Sequence, residues 1–173
     1  MKISLLLAFI LALLGSIYVF FKPMHIKQQA FVDVPLFELK DFTMYELDQK
    51  GLRTIMLGSA ATRYSNRYTV QDIDYTDNEK EEYIANMKAK HGIYKDDVVV
   101  TLHGDVAYVR DDGLTFKTQK AVYNKKTSDV VSDVGYVAYL NESIIKGSYI
   151  KYNNEKNRIF SKNVRAKIQL QER

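Results

Sequence analysis

Phe160-Ser161-Lys162-Asn163-Val164-Arg165-Ala166-Lys167-Ile168-Gln169-Leu170 alternates apolar and polar residues with a single interruption, at Lys162. Successive side chains of a strand point to opposite faces, so this stretch reads as a strand with one greasy and one wet side. Phe160, Val164, Ala166, Ile168 and Leu170 form the apolar set, against Ser161, Asn163, Arg165, Lys167 and Gln169. Two earlier stretches share the pattern less cleanly. Along Val98–Tyr108 the apolar face is Val98, Val100, Leu102, Val106 and Tyr108. Along Val130–Leu140 it is Val130, Val134, Tyr136, Ala138 and Leu140, interrupted by Ser132.

These stretches recur. Tyr64, Tyr94, Tyr123 and Tyr152 are spaced by 30, 29 and 29 residues. Seven residues before them stand Leu57, Met87, Phe116 and Ile145, all apolar, and five before them Ser59, Ala89, Thr118 and Gly147, all small. After the last three tyrosines come Asp105-Val106, Asp133-Val134 and Asn163-Val164; after the first, Gln71-Asp72-Ile73 is a weaker match. Three columns in register define a repeat of about 29 residues, the mark of a stacked architecture.

Each unit reads as strand, polar turn, strand. Lys95-Asp96-Asp97, Asn124 to Asp129, and Asn153 to Asn157 are clusters whose side chains satisfy their own backbone in tight turns. Asp111-Asp112-Gly113 closes a further hairpin, since glycine takes a positive φ without penalty. Glu79–Lys90 has helix-forming composition, but Met87 and Ala89 fit the repeat, so it reads as a strand after a charged loop at Thr76–Glu82. The soluble part is therefore an all-β, open antiparallel domain.

Upstream the chain changes character. Ile3–Phe21 holds no charged residue, and nineteen helical residues rise about 28 Å, close to a hydrocarbon core of about 30 Å. The run exceeds a signal-peptide h-region and no small-x-small site precedes Tyr18 to Phe21, so it reads as a retained anchor in preference to a cleaved leader or a buried helix. The expected organisation is a transmembrane anchor over 1–22, a linker over 23–35 and a β-domain over 36–173. A one-residue overhang before the span favours export of the C-terminal part. The absence of cysteine permits an oxidising compartment and supplies no disulfide framework.

Function classes fall away in turn. The chain carries 25 Lys+Arg against 21 Asp+Glu, interspersed, with no basic stripe for nucleic acid. His25, His91 and His103 form neither an i,i+4 pair nor a cluster, so no metal site is expected, and no phosphate loop or nucleophile elbow occurs. The acidic pairs Asp96-Asp97 and Asp111-Asp112 sit in turns, where such residues belong anyway. No catalytic residue and no cofactor is expected. The apolar face can be an ordinary core or, if the sheet splays open, a trough for acyl chains worth about 0.8 kcal/mol per buried CH₂. Open hairpin stacks also end in unpaired strand edges, and the last strand is the obvious place for a partner to join.

Several stretches together resemble the LptC family of lipopolysaccharide export proteins, within the OstA-like β-jelly-roll group. They are the single N-terminal apolar run; Phe37-Glu38-Leu39-Lys40-Asp41-Phe42; Leu102-His103-Gly104-Asp105-Val106; and Ile145-Lys146-Gly147-Ser148 followed by Asn163-Val164-Arg165-Ala166. The resemblance implies an inner-membrane-anchored periplasmic protein without an active site. It would receive lipopolysaccharide from the Lpt ABC transporter, docked through the span, and pass it to an LptA-like jelly roll. The implied lipid groove is Leu102, Val106, Phe116, Val134, Tyr136, Ile145, Val164 and Ile168. The implied docking edge is Phe160, Val164, Ala166 and Leu170, with Gly147 as a structural glycine. The competing reading is a membrane-tethered adaptor with a solid core that binds only protein.

Overall fold

A long polar-turn ladder builds one antiparallel sheet. In a computed structural model, which describes residues 34–49, 51–78 and 83–169, twelve strands follow one another. They are β1 (Phe37–Asp48), β2 (Gly51–Arg63), β3 (Arg67–Asp77), β4 (Ala85–Lys95), β5 (Val99–Arg110), β6 (Leu114–Asn124), β7 (Asp129–Ser132), β8 (Tyr136–Leu140), β9 (Ser143–Gly147), β10 (Tyr149–Asn153), β11 (Arg158–Lys162) and β12 (Arg165–Lys167). The segment with helix-forming composition is β4, so pairing on both flanks overrides propensity. Thr76 and Asp77, expected in the charged loop, extend β3. Among the described residues no helix is long and apolar enough to cross a membrane; the apolar run Ile3–Phe21 lies outside them.

The turns follow their chemistry. Asn124 Oδ1 accepts the amides of Lys126 and Thr127, and Asn153 Oδ1 accepts that of Lys156. Asp96 and Asp97 both take φ of 52°, and Gly113 takes 98°. Such left-handed positions are open to Asp, Asn and Gly at little cost.

Several strands also change step at their middle. In β1, inward residues run Phe37, Leu39, then Phe42, Met44; in β3, Tyr68, Val70, then Ile73, Tyr75; in β6, Tyr123, Ala121, then Thr118, Phe116. A step of three replaces a step of two, which keeps the apolar side inward on both halves of a bent strand. Asp41, Asp72, Asp105 and Asn163 stand at these points with φ between 46° and 52°. The repeating Asp/Asn column thus holds left-handed kinks at Asp72, Asp105 and Asn163. Its members are tied across the sheet: Ser59 Oγ donates to Asp72 at 2.6 Å, Lys90 Nζ meets Asp105 at 2.7 Å, Lys120 Nζ meets Asp133 at 2.8 Å, and Asn163 Nδ2 donates to Ser148 Oγ at 2.9 Å.

The sheet then forks. β6 pairs with β7 through Val122–Asn124 and with β8 through Leu114–Thr118. One arm continues β7-β10-β11 and the other β8-β9-β12. The stretch Val130–Leu140, read as one strand, is therefore two, broken at Asp133–Gly135. Phe160–Leu170 is likewise broken at Asn163–Val164. At the fork Thr118 Oγ1 and Ser132 Oγ lie 2.8 Å apart, Thr118 donates to Gly135 O, and Ser132 donates to Val134 O. The small buried core sits beside this point: Ile73, Ala89, Leu102, Val106 and Ala121, with Met56, Val70, Tyr75, Met87 and Val100 packed against it.

Candidate functional site

The inner face is a set of rows running from one edge of the sheet to the other. Direct opposition gives Met44–Met56–Tyr75–Met87–Tyr108–Phe116–Ala138–Ile145–Ala166. A neighbouring row nearer the kinks is Phe42–Gly58–Ile73–Ala89, continued through Val106–Thr118–Tyr136–Gly147. Residues directly opposite one another share a face, so one apolar surface is continuous across all these strands.

Five of the eight groove candidates, Leu102, Val106, Phe116, Tyr136 and Ile145, lie in the pairing of this surface. Leu102, Val106 and Tyr136 are buried, Phe116 and Ile145 are half-buried, and Val164 and Ile168 are 50% and 67% exposed at the far edge. The Phe116 and Tyr136 rings stack with centroids 5.5 Å apart. Val134 lies in the break between β7 and β8, outside the ladder, where Ser132 takes the inward place, 1% exposed; Val164 and Ile168 flank β12 and are likewise outside the ladder. Alternation set Ser132 on this face as an interruption but counted Val134 with it, because it does not reveal where a strand breaks.

A change of step at Asn163 corrects the docking edge. Ile159 and Ser161 share the face of Tyr152 and Ile150, which puts Phe160 on the opposite side, edge-on to Tyr149 at 6.1 Å. Ala166 therefore does not share a face with Phe160, Val164 lies in the break between β11 and β12, and Leu170 lies outside the described residues. What remains is an edge: β11 and β12 each pair on one side only. Sequence reasoning passed over its counterpart. β1 is an edge strand of twelve residues, with Phe37, Leu39, Met44, Tyr45 and Leu47 all exposed. The run Phe37–Leu47 carries the signal, because so much exposed apolar surface on one strand marks an interaction site.

Gly147 is placed by a close approach. Tyr136 lies directly opposite, and a Cβ on Gly147 would sit 2.6 Å from its ring. The Tyr136 hydroxyl, freed to cross the fork, meets Ser161 Oγ at 2.8 Å. Phe42 covers Gly58 in the same way at the other end of the row. This aromatic-over-glycine device keeps a strand packed where it has no side chain of its own.

The first repeat unit is shifted by one residue from its apparent register. Met56, Gly58 and Arg63 stand in the rows of Met87, Ala89 and the repeat tyrosines, while Tyr64 falls in the turn and Leu57 faces outward. Titration on the inner face is set by burial: the Tyr108 phenol is pushed up to about 12, first by burial and then by Tyr83, and burial raises Tyr75 as well. The register also sets His91 opposite His103, which their spacing did not reveal. Among the described residues no group of three metal-ligating side chains forms.

A family model described as lipopolysaccharide-assembly, LptC-related, matches residues 5–169. The chain belongs to this family. LptC-related membership places it in lipopolysaccharide transport, as a transport component and not an enzyme, with a periplasmic domain and Lpt partner proteins. A solved structure, LptH, the LptA-homologous periplasmic component of the conserved lipopolysaccharide transport device from Pseudomonas aeruginosa, is similar in fold. The TM-score is 0.51 at 14% identity, covering 80% of this chain and 98% of that one. That likeness bears on the open, jelly-roll-like sheet alone. Comparison with curated proteins gave no match.

Proposed function

We propose that this LptC-related chain carries the acyl chains of lipopolysaccharide along its inner face, between an inner-membrane transporter and an LptA-like periplasmic protein. One observation supports it above all. The inner rows are apolar from β1 to β12, and their outermost members stay exposed at both edges instead of being capped. Phe116, Ile145, Val164 and Ile168 form the accessible lining, while Leu102, Val106 and Tyr136 form its floor. The span Ile3–Phe21 anchors the chain and docks the ABC transporter, the linker covers 23–35, and the domain begins at 36. The C-terminal edge strand offers its unpaired backbone to the LptA-like partner, a β-augmentation that needs no new fold.

A photocrosslinker at Phe116 tests the carriage directly. Lipid adducts formed during transport support it, and their absence rejects it. The adaptor reading keeps one observation in its favour, the filled centre at Leu102, Val106 and Ala121, and it requires no adduct at Phe116. A chain ending at Asn163, which lacks β12, loses the LptA-like partner in a pull-down while keeping its circular dichroism. Retained binding rejects the edge assignment. Intact mass of the mature protein reports whether Met1–Phe21 stays attached.

A further inference from the structure

The two ends of the strands differ in charge and in aromatic content. At one end the inner row reads Arg63–Tyr68–Tyr94–Val100–Tyr123–Val130–Tyr152, by direct opposition across the sheet. At the other end, Asp77, Asp111, Asp112 and Glu142 stand in or beside the hairpin turns. There the inward cation Arg110 is neutralised by Asp112 and lies over the Tyr83 ring, and Arg53 faces Glu46 at 3.7 Å. The tyrosine end is not neutralised in this way.

Its two inner cations are held by rings. The Arg63 guanidinium lies 5.1 Å from the centroid of Tyr68, whose ring lies 6.2 Å from that of Tyr94. Lys125 closes the series, its Nζ 3.0 Å from the Tyr94 hydroxyl and 4.9 Å from the ring centroid. Neither cation forms a salt bridge with a described carboxylate, whereas Lys88, Lys90, Lys120 and Lys151 on the same sheet each do. The Tyr94 hydroxyl and ring, with Tyr123 and Asp97 beyond, favour the charged form of Lys125. A cation fixed by an aromatic partner and left without a counter-ion keeps its attraction for an external anion.

We infer that Arg63 and Lys125, set on the Tyr68–Tyr94 pair, form a clamp for the phosphate of an anionic glycolipid whose acyl chains lie on the inner face. The inference rests on the carriage proposed above and adds to it a polarity. The phosphorylated sugar sits at the tyrosine end, the acyl chains run toward Met56, Met87 and Phe116, and the acidic end repels the same headgroup. Tyrosine suits this rim because its ring contacts apolar chain while its hydroxyl faces the wet headgroup.

The test compares binding of lipid A with its phosphates intact and of the same lipid A after their enzymatic removal. Arg63→Gln with Lys125→Gln is expected to weaken binding of the phosphorylated form by about tenfold or more, the loss of charge-assisted contacts, and to leave the dephosphorylated form unchanged. Lys125→Arg keeps the charge and restores most of the affinity in the Arg63 background. Lys156→Gln, at another hairpin turn, changes neither. Equal loss for both lipids, or loss for neither, overturns the clamp. Inorganic phosphate alone displacing lipid A from the wild type at millimolar concentration supports the phosphate contact, whereas inorganic phosphate bound as tightly as lipid A overturns the lipid assignment. Wild-type protein that binds neither lipid rejects the carriage reading itself; wild-type binding of both with an unaffected double variant rejects only the clamp.

Discussion

The Tyr136 hydroxyl meets Ser161 Oγ at 2.8 Å, and the two residues belong to different arms of the forked sheet. Ser161 in turn donates to Tyr149 O at 2.7 Å, so the bond ties β8 to the backbone of β10 through β11. Tyr136 is 4% exposed and has no room to choose another partner. This side-chain bridge therefore joins the two arms directly, beside their pairing with β6 and the Thr118–Ser132 contact.

Tyr136→Phe keeps the ring over Gly147 and the stack on Phe116 but removes that bridge. The expected cost is about 1 kcal/mol in urea unfolding, the net worth of one hydrogen bond. Hydrogen exchange of β11 amides should speed up more than exchange in β5. Uniform exchange across the sheet would show that the bridge does not hold the arms.

Gly147→Ala places a Cβ 2.6 Å from the Tyr136 ring, which must swing off both Phe116 and Ser161. Overpacking of this kind costs about 1–3 kcal/mol. Gly135→Ala is the comparison, because a Cβ there meets only Gly147 O at 3.8 Å. A larger loss at Gly135 than at Gly147 in a urea titration would contradict the packing described here.

Asp72→Val tests the kinks. Asp72 has φ of 50°, where a β-branched residue is strained by about 1–2 kcal/mol, while Asn and Gly are tolerated. Asp72→Asn should therefore keep most of the wild-type stability that Asp72→Val loses. Equal melting temperatures for the two variants would mean that the left-handed position imposes no constraint.

The Asp129 carboxyl is held down to about 2, first by the Asn153 amide and then by Lys151 and Thr127. A depressed carboxylate adds stability that is complete above its free value of 3.8 and disappears as pH falls toward about 2. Wild type should lose more stability than Asp129→Asn between pH 4 and pH 2, estimated from the linkage relation and read as the shift in urea midpoint. Parallel shifts in the two proteins would remove Asp129 from the acid response.

Phe116→Arg puts a charge on the half-buried inner row and gives up the stack on Tyr136 while leaving the Tyr136–Ser161 contact its partners. Folding is expected to persist, since the side chain can reach solvent along the row, and lipid transfer to fall by about tenfold or more because the guanidinium must be desolvated against acyl chains. Normal transfer would remove Phe116 from the lining.

The turns and the Asp/Asn column were legible because Asn, Asp and Gly report local backbone geometry. Alternation reports only relative orientation along an unbroken strand. A left-handed Asn163 shifts the inward register beyond it, so Phe160 was set on the wrong side, and the break at Asp133–Gly135 took Val134 out of the ladder. The shift at Arg63 was hidden for a related reason, since Tyr64 kept an almost constant spacing while moving into the turn. Nothing local announces the fork at Thr118, where β6 pairs with two strands at once. Its only trace is small polar residues, Thr118 and Ser132, at positions that alternation assigns to greasy ones.

Because successive hairpins repeat the same turn chemistry and the same Asp/Asn column, the fold works as a ruler. A further pair of strands would lengthen the sheet by about 10 Å without altering its cross-section, given the usual strand spacing. Span and bore are set independently, so evolution can fit such a chain to a wider gap between two membranes by copying a unit of about 29 residues and leaving the calibre untouched.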